Sequence, residues 1–381
     1  MKNKLQLVVI GLFLLFLWVP LVSTPFRVKK EHRELRGIER RDPPGKFRFK
    51  GCGGIEGWVR YVQPWYENSF GFRADFMRVY NVFNYRIHNF TRGVYGPGGT
   101  YFRNDMVDRV LEAVPEENWQ VRAQSLDRIR ELCEQTQTPC LFVVIPSKST
   151  AHPDWAPKWL QKRNFGDKRQ RMMELIRSKG FPALDLCPFL ISHAEQIDED
   201  LFLRFDIHWS VPGALVGYAP LVSTIQQWIP EARLVQPEAY TLTVEKDNIS
   251  SARRHYLESV CSEDITRITG IDLPPVRIIK DGEESNEAVA YFLRRHFAEV
   301  FCEGLGDRTV VFVRDSFLRE QSPLLNHSFG HTVYLNNSNE GQDPAKVIEK
   351  WKPDLLVFAM QELLMRDYLE RMAELPDSDF Q

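Results

Sequence analysis

Val310-Val311-Phe312-Val313-Arg314-Asp315-Ser316-Phe317 reads as a buried strand that ends in a turn carrying a serine. Consecutive apolar residues suit a strand covered on both faces, as in a parallel sheet. A serine just beyond such a strand is where α/β hydrolases expose a nucleophile. The surrounding chain keeps the same rhythm. Helices are predicted over 119–135, 168–178 and 345–350, and strands over 141–145, 183–186, 332–335 and 354–360. Apolar runs alternating with helices give an α/β class with a mostly parallel sheet. Ligands of such sheets sit beyond the carboxyl ends of the strands, where Ser316 lies.

Three further stretches are less regular. Phe70, Phe72, Phe76, Val79, Tyr80 and Phe83 recur at three- and four-residue steps and predict a helix over 66–89. Val94-Tyr95 and Thr100-Tyr101-Phe102 flank Gly96-Pro97-Gly98-Gly99, a hairpin signal. A helix is expected from near Pro212 to Ile229. Residues 230–308 read as polar and irregular.

A serine hydroxyl needs a base within hydrogen-bond reach before it can attack an ester at neutral pH. Phe205-Asp206-Ile207-His208-Trp209-Ser210 offers one: Asp206, two positions before His208, can orient the imidazole and stabilise its charge. Each piece also has a structural reading. Asp206 and His208 fit a loop that caps the helix after Pro212, and Asp315 fits a cap in the turn at Ser316. Trp209 reads as packing that fixes the loop, with sugar stacking as the alternative.

A net charge of −2 excludes the basic surface that nucleic-acid binding requires. Lys2 and Lys4 precede an uncharged run from Leu7 to Val22, the pattern of an export signal. Its length is close to the lower limit of about 17 residues for a spanning helix. No good cleavage site follows, so residues 1–24 are expected to be a retained signal anchor rather than a signal peptide. Residues 25–60 read as a tether and 61–381 as the folded domain. Cys52, Cys133, Cys140, Cys187, Cys261 and Cys302 are too dispersed for a zinc motif. In an exported chain they allow one or two disulfides, with Cys133–Cys140 the nearest pair, or buried thiols. No cofactor is called for.

Phe205-Asp206-Ile207-His208-Trp209-Ser210-Val211-Pro212-Gly213-Ala214, with Arg314-Asp315-Ser316-Phe317 downstream, resembles the AlgX/AlgJ family of bacterial alginate O-acetyltransferases. Ser69-Phe70-Gly71-Phe72-Arg73 resembles that family's opening segment. Leu141 to Thr150, with Ile145-Pro146-Ser147-Lys148, resembles its first central strand and P-x-K turn, and Lys352-Pro353-Asp354-Leu355-Leu356-Val357 its last strand. The resemblance covers roughly residues 65–370. It implies an SGNH-hydrolase-like three-layer αβα domain with a mostly parallel sheet, preceded by an N-terminal membrane anchor helix. It also implies a triad of Asp206, His208 and Ser316, with the base ahead of the nucleophile. The implied activity is transfer of acetyl groups to polysaccharide hydroxyls at the periplasmic face of the inner membrane, with a membrane-bound O-acyltransferase supplying acetyl. The family commonly has glycine where this chain has Arg314, a change expected to alter access to the oxyanion region.

Two other functions use the same residues: a carbohydrate acetylesterase with the same triad, and a non-catalytic polysaccharide-binding subunit of a secretion complex. The oxyanion donors are expected to include the Ser316 N–H and one side chain among Asn336, Asn337 and Arg319.

Overall fold

Alternate residues of three central strands serve two different cores. Leu141, Val143 and Ile145, Val310 and Phe312, and Leu355, Val357 and Ala359 pack into one; Phe142 and Val144, Val311 and Val313, and Leu356, Phe358 and Met360 pack into the other. This period-two division is how a sheet covered on both faces must be built. The computed structural model describes residues 71–375 except 92, 164, 165, 195, 197–199, 281, 288–296 and 340. Before these it describes 7–15, 18–20, 22–24, 26, 54–56 and 60.

The chain divides into two units, Met1–Arg92 with Ile249–Ser262, and Gly93–Asn248 with Glu263–Gln381. In the first, helix Arg73–His88 is tied by Asn81 Nδ2 donating to His255 O (3.1 Å) and by the Arg78–Glu258 ion pair (2.7 Å). Residues 66–70 of the predicted helix lie outside the described residues. Val79, Tyr80 and Phe83, part of the apolar pattern that predicted it, are exposed rather than buried. Helix Leu7–Thr24 is long and apolar enough to cross a membrane, with mean hydropathy 2.5.

The second unit begins with the hairpin β1 (Gly93–Tyr95) and β2 (Tyr101–Arg103). Its main sheet contains β3 (Cys140–Ile145), β4 (Ala183–Asp185), β7 (Val276–Lys280), β8 (Glu283–Glu287), β9 (Ala298–Phe301), β10 (Thr309–Arg314), β11 (His331–Asn336) and β12 (Leu355–Gln361). The order is β4-β3-β12-β10-β11-β9-β7-β8. The five strands from β4 to β11 run parallel; β9, β7 and β8 are added antiparallel. Helix Val211–Ile225 covers one face through Ala214, Tyr218, Leu221 and Ile225. Helices Glu116–Thr136, Asp167–Ser178, Pro344–Trp351 and Glu362–Ala373 cover the other, giving three layers.

The sequence reading of 230–308 as irregular is wrong. That stretch holds β7 and β9, and also an antiparallel ribbon of β5 (Tyr240–Asn248) and β6 (Glu263–Ile271). These strands alternate polar with apolar residues and lack the continuous apolar runs of the parallel half. The last helix was also unread. The helix near Pro212 ends at Ile225 rather than Ile229. Cys133, Cys140, Cys187, Cys261 and Cys302 are buried free thiols, with Cys133 and Cys140 Sγ 2.7 Å apart. Cys52 lies outside the described residues.

Candidate active site

Ser316 follows the end of β10 in ordinary right-handed geometry, with φ −75° and ψ −12°. No residue from 314 to 316 has a positive φ, so the turn does not require the flexibility of glycine at Arg314. Asp315 braces the turn from within. Its Oδ1 accepts Phe317 N (2.7 Å) and its Oδ2 accepts Gln361 N (2.7 Å), which joins the ends of β10 and β12. Burial pushes the Asp315 carboxyl above its ordinary pKa, while those two N–H donors pull it down. The Arg314 side chain is buried, with Nη1 donating to Asp315 O at 3.3 Å.

The structure brings the three sequence-selected residues into one chain of hydrogen bonds. His208 Nε2 lies 2.7 Å from Ser316 Oγ, and His208 Nδ1 lies 2.6 Å from Asp206 Oδ1. With Nδ1–H donating to the carboxylate, Nε2 is left to accept the serine proton. Asp206 Oδ1 also accepts the main-chain N–H of Ile207 (2.7 Å) and of His208 (3.3 Å), which holds the carboxylate beneath the ring.

A buried loop must satisfy its main-chain groups, and here other segments do so. Lys148 Nζ, just past β3, donates to the carbonyls of Leu203 (2.5 Å), Arg204 (3.3 Å), Asp206 (2.7 Å) and Tyr101 (3.1 Å). Burial pushes this ammonium down to about 7, opposed by the charges of Asp206, Glu263 and Asp200. From the other side Glu263 Oε2, on β6, accepts Arg204 N (2.6 Å) and Phe205 N (3.4 Å). The turn carrying Lys148 is anchored in turn: Glu362 Oε1 accepts Ser147 N (2.9 Å) and the Thr150 hydroxyl (2.6 Å).

Downstream, the helix cap is Ser210, and not Asp206 or His208, whose loop the sequence reading offers for that role. Its Oγ accepts Gly213 N (3.2 Å) and donates to Asp200 O (2.6 Å). A Cβ at Gly213 would collide with the Leu201 carbonyl, so glycine lets the helix start against the loop. Trp209 is fully buried and donates to Phe317 O (2.7 Å), a packing role rather than a sugar platform. Of the three expected oxyanion side chains, Asn336 Oδ1 accepts Ser338 N and its hydroxyl, Asn337 Nδ2 faces Met360 Sδ (3.6 Å), and Arg319 pairs with Glu320. Lys148 was quoted only as part of a motif, and Glu263, Glu362 and Gln361 were missed. Single carboxylates and amides in polar sequence give no signal of their own.

Asp206, His208 and Ser316, joined by hydrogen bonds with the serine at the carboxyl end of a parallel sheet, invite comparison with known families. Residues 102–261 match the family described as SGNH hydrolase-like domain, acetyltransferase AlgX. The AlgX match contains Asp206 and His208 and agrees with the resemblance read from the sequence motifs; Ser316 lies beyond it. Among solved structures, a DHHW family protein from Eubacterium siraeum is 14% identical, with TM-score 0.52, covering 66% of this chain and 88% of that one. PatB1 of Bacillus cereus is 17% identical, with TM-score 0.51, covering 66% and 92%. The O-acetyltransferase domain of Pseudomonas putida AlgJ is 12% identical, with TM-score 0.44, covering 74% and 98%. No curated protein matches the chain. At these identities the first two structures share the α/β fold, and their likeness extends no further.

Proposed function

We propose that this chain is an extracytoplasmic O-acetyltransferase that moves acetyl groups to polysaccharide hydroxyls through an acetyl-Ser316 intermediate. The observation that carries the reading is the continuous hydrogen-bonded path from Ser316 Oγ through His208 to Asp206. The AlgX family match supports acetyl transfer as the reaction, and PatB1 of Bacillus cereus has been solved with a sulfonyl adduct.

In the first step Ser316 Oγ attacks the carbonyl carbon of an acetyl ester while His208 Nε2 takes its proton. The oxyanion collapses, the donor C–O bond breaks, and His208 returns the proton to the leaving oxygen. In the second step His208 removes the proton of a sugar hydroxyl, whose oxygen attacks the acetyl-serine. The C–Oγ bond then breaks and the proton returns to Ser316. Asp206 stays ionised throughout and stabilises the imidazolium. The apolar helix Leu7–Thr24 supports membrane anchoring; in the proposed reading the anchor lies in the inner membrane and a membrane-bound O-acyltransferase supplies the acetyl group.

The full-length chain in detergent, given p-nitrophenyl acetate and an oligosaccharide, should yield acetylated oligosaccharide and a transient acetyl group on Ser316. Ser316→Ala should abolish both. Free acetate as the sole product would assign the site to an acetylesterase, and wild-type turnover by the alanine variant would remove Ser316 as the nucleophile.

A further inference from the structure

The developing oxyanion needs preorganised donors. The Ser316 N–H, without a partner among the described residues, supplies one. A second stands at the end of β12. Ala359 pairs with Arg314 at the end of β10, and Gln361, two residues on, ends β12 next to the turn that carries Ser316. Its main-chain N–H reaches Asp315 Oδ2, the residue before the serine (2.7 Å).

The orientation of the Gln361 amide follows from its partner. Oε1 accepts Leu363 N (2.9 Å) and caps the last helix, so Nε2 faces the opposite way. Gln361 is fully buried, and its Nε2 has no hydrogen-bond partner among the described residues. A buried N–H donor left unpaired calls for an explanation. Gln361 lines a cavity together with Ile207 and Phe317, the chain neighbours of His208 and Ser316. Phe102, Met106 and Leu160 form apolar wall there, suited to the methyl side of an acetyl group.

We propose that Gln361 Nε2 is the side-chain donor of the oxyanion hole, binding the carbonyl oxygen of the acetyl donor and of the acetyl-serine. The assignment rests on Ser316 being the nucleophile. It goes beyond that reading by naming the group that stabilises the transition state.

Two full-length variants test it. Gln361→Glu keeps an oxygen to cap Leu363 and removes the donor; Gln361→Met removes both. Each should lower kcat for p-nitrophenyl acetate by about 10²–10³-fold with KM little changed. Affinity for methaneboronic acid, whose serine adduct is tetrahedral, should fall in step with kcat. In the wild type, the ¹⁵N resonance of the Gln361 side-chain amide should move when the boronic acid is added, a readout that needs no variant to fold. A folded Gln361→Glu with kcat within threefold of wild type, or an unmoved amide resonance, would overturn the proposal. Should Ser316→Ala turn over normally, the nucleophile assignment fails instead, and the two failures are told apart.

Discussion

Asp206 Oδ1 gathers three N–H donors, His208 Nδ1 and the main-chain amides of Ile207 and His208. An asparagine there keeps the size but not the charge, and its own N–H can donate to Nδ1 and fix the wrong tautomer. Asp206→Asn should lower kcat about 10⁴-fold while the melting curve stays cooperative, checked by ester turnover and thermal unfolding. Lys148 acts at the same scale on the other side of the loop. Its three N–H groups are shared among four carbonyls, so Lys148→Met should free the loop and lower kcat far more than it raises KM. The pH dependence has a definite sign. Its folded pKa of about 7 lies below the ordinary Lys value of 10.5, so between these the unfolded chain binds more protons than the folded one. Stability from this group therefore rises with pH across about 7 to 10.5. Denaturant titrations at the two ends of that window should show wild type gaining stability relative to Lys148→Met as pH increases; a constant difference would refute the burial of a titrating amine.

Ser210 shows how one side chain joins two elements. It caps helix Val211–Ile225 and holds the loop through Asp200 O, so Ser210→Ala should cost about 1 kcal/mol, read as a lower denaturant midpoint with turnover retained. The sequence reading assigns this capping role to the Asp206–His208 loop, although a serine shortly before a proline and an apolar run marks a helix start. The parallel strands, by contrast, were legible. Val310–Val313 and Leu355–Met360 are buried on both faces and must be apolar throughout. β5 was not: its residues are mostly exposed, and its pairing with β6 is helped by Lys246–Asp264 and Arg267–Glu245, which read in sequence as solvated loop. Gln361 escaped notice because its significance lies in register. Only the pairing of β12 with β10 sets it beside Ser316.

For the whole molecule, the order of base and nucleophile and the alternation of strands and helices were open to a sequence reading, since both are written in local patterns. The supports of the site were not, since Tyr101, Lys148, Glu263 and Glu362 come from the hairpin, the β3 turn, the β5–β6 ribbon and the last helix and meet the Asp206 loop and its underlying turn only in the folded chain. Asp206, His208, Ser316 and these supports all belong to the second unit, whereas helix Leu7–Thr24 belongs to the first. The chemistry on a small soluble ester should therefore not depend on the anchor, but delivery of acetyl groups from a membrane-bound supplier should. Deleting residues 1–24 and directing export by a cleavable signal should move the protein from the membrane to the soluble periplasmic fraction. Its kcat on p-nitrophenyl acetate should remain within about threefold of the full chain, while acetylation of the polysaccharide in cells falls sharply. Retention in the membrane after the deletion would remove Leu7–Thr24 as the anchor, and undiminished polymer acetylation would remove the need for a membrane-bound supplier.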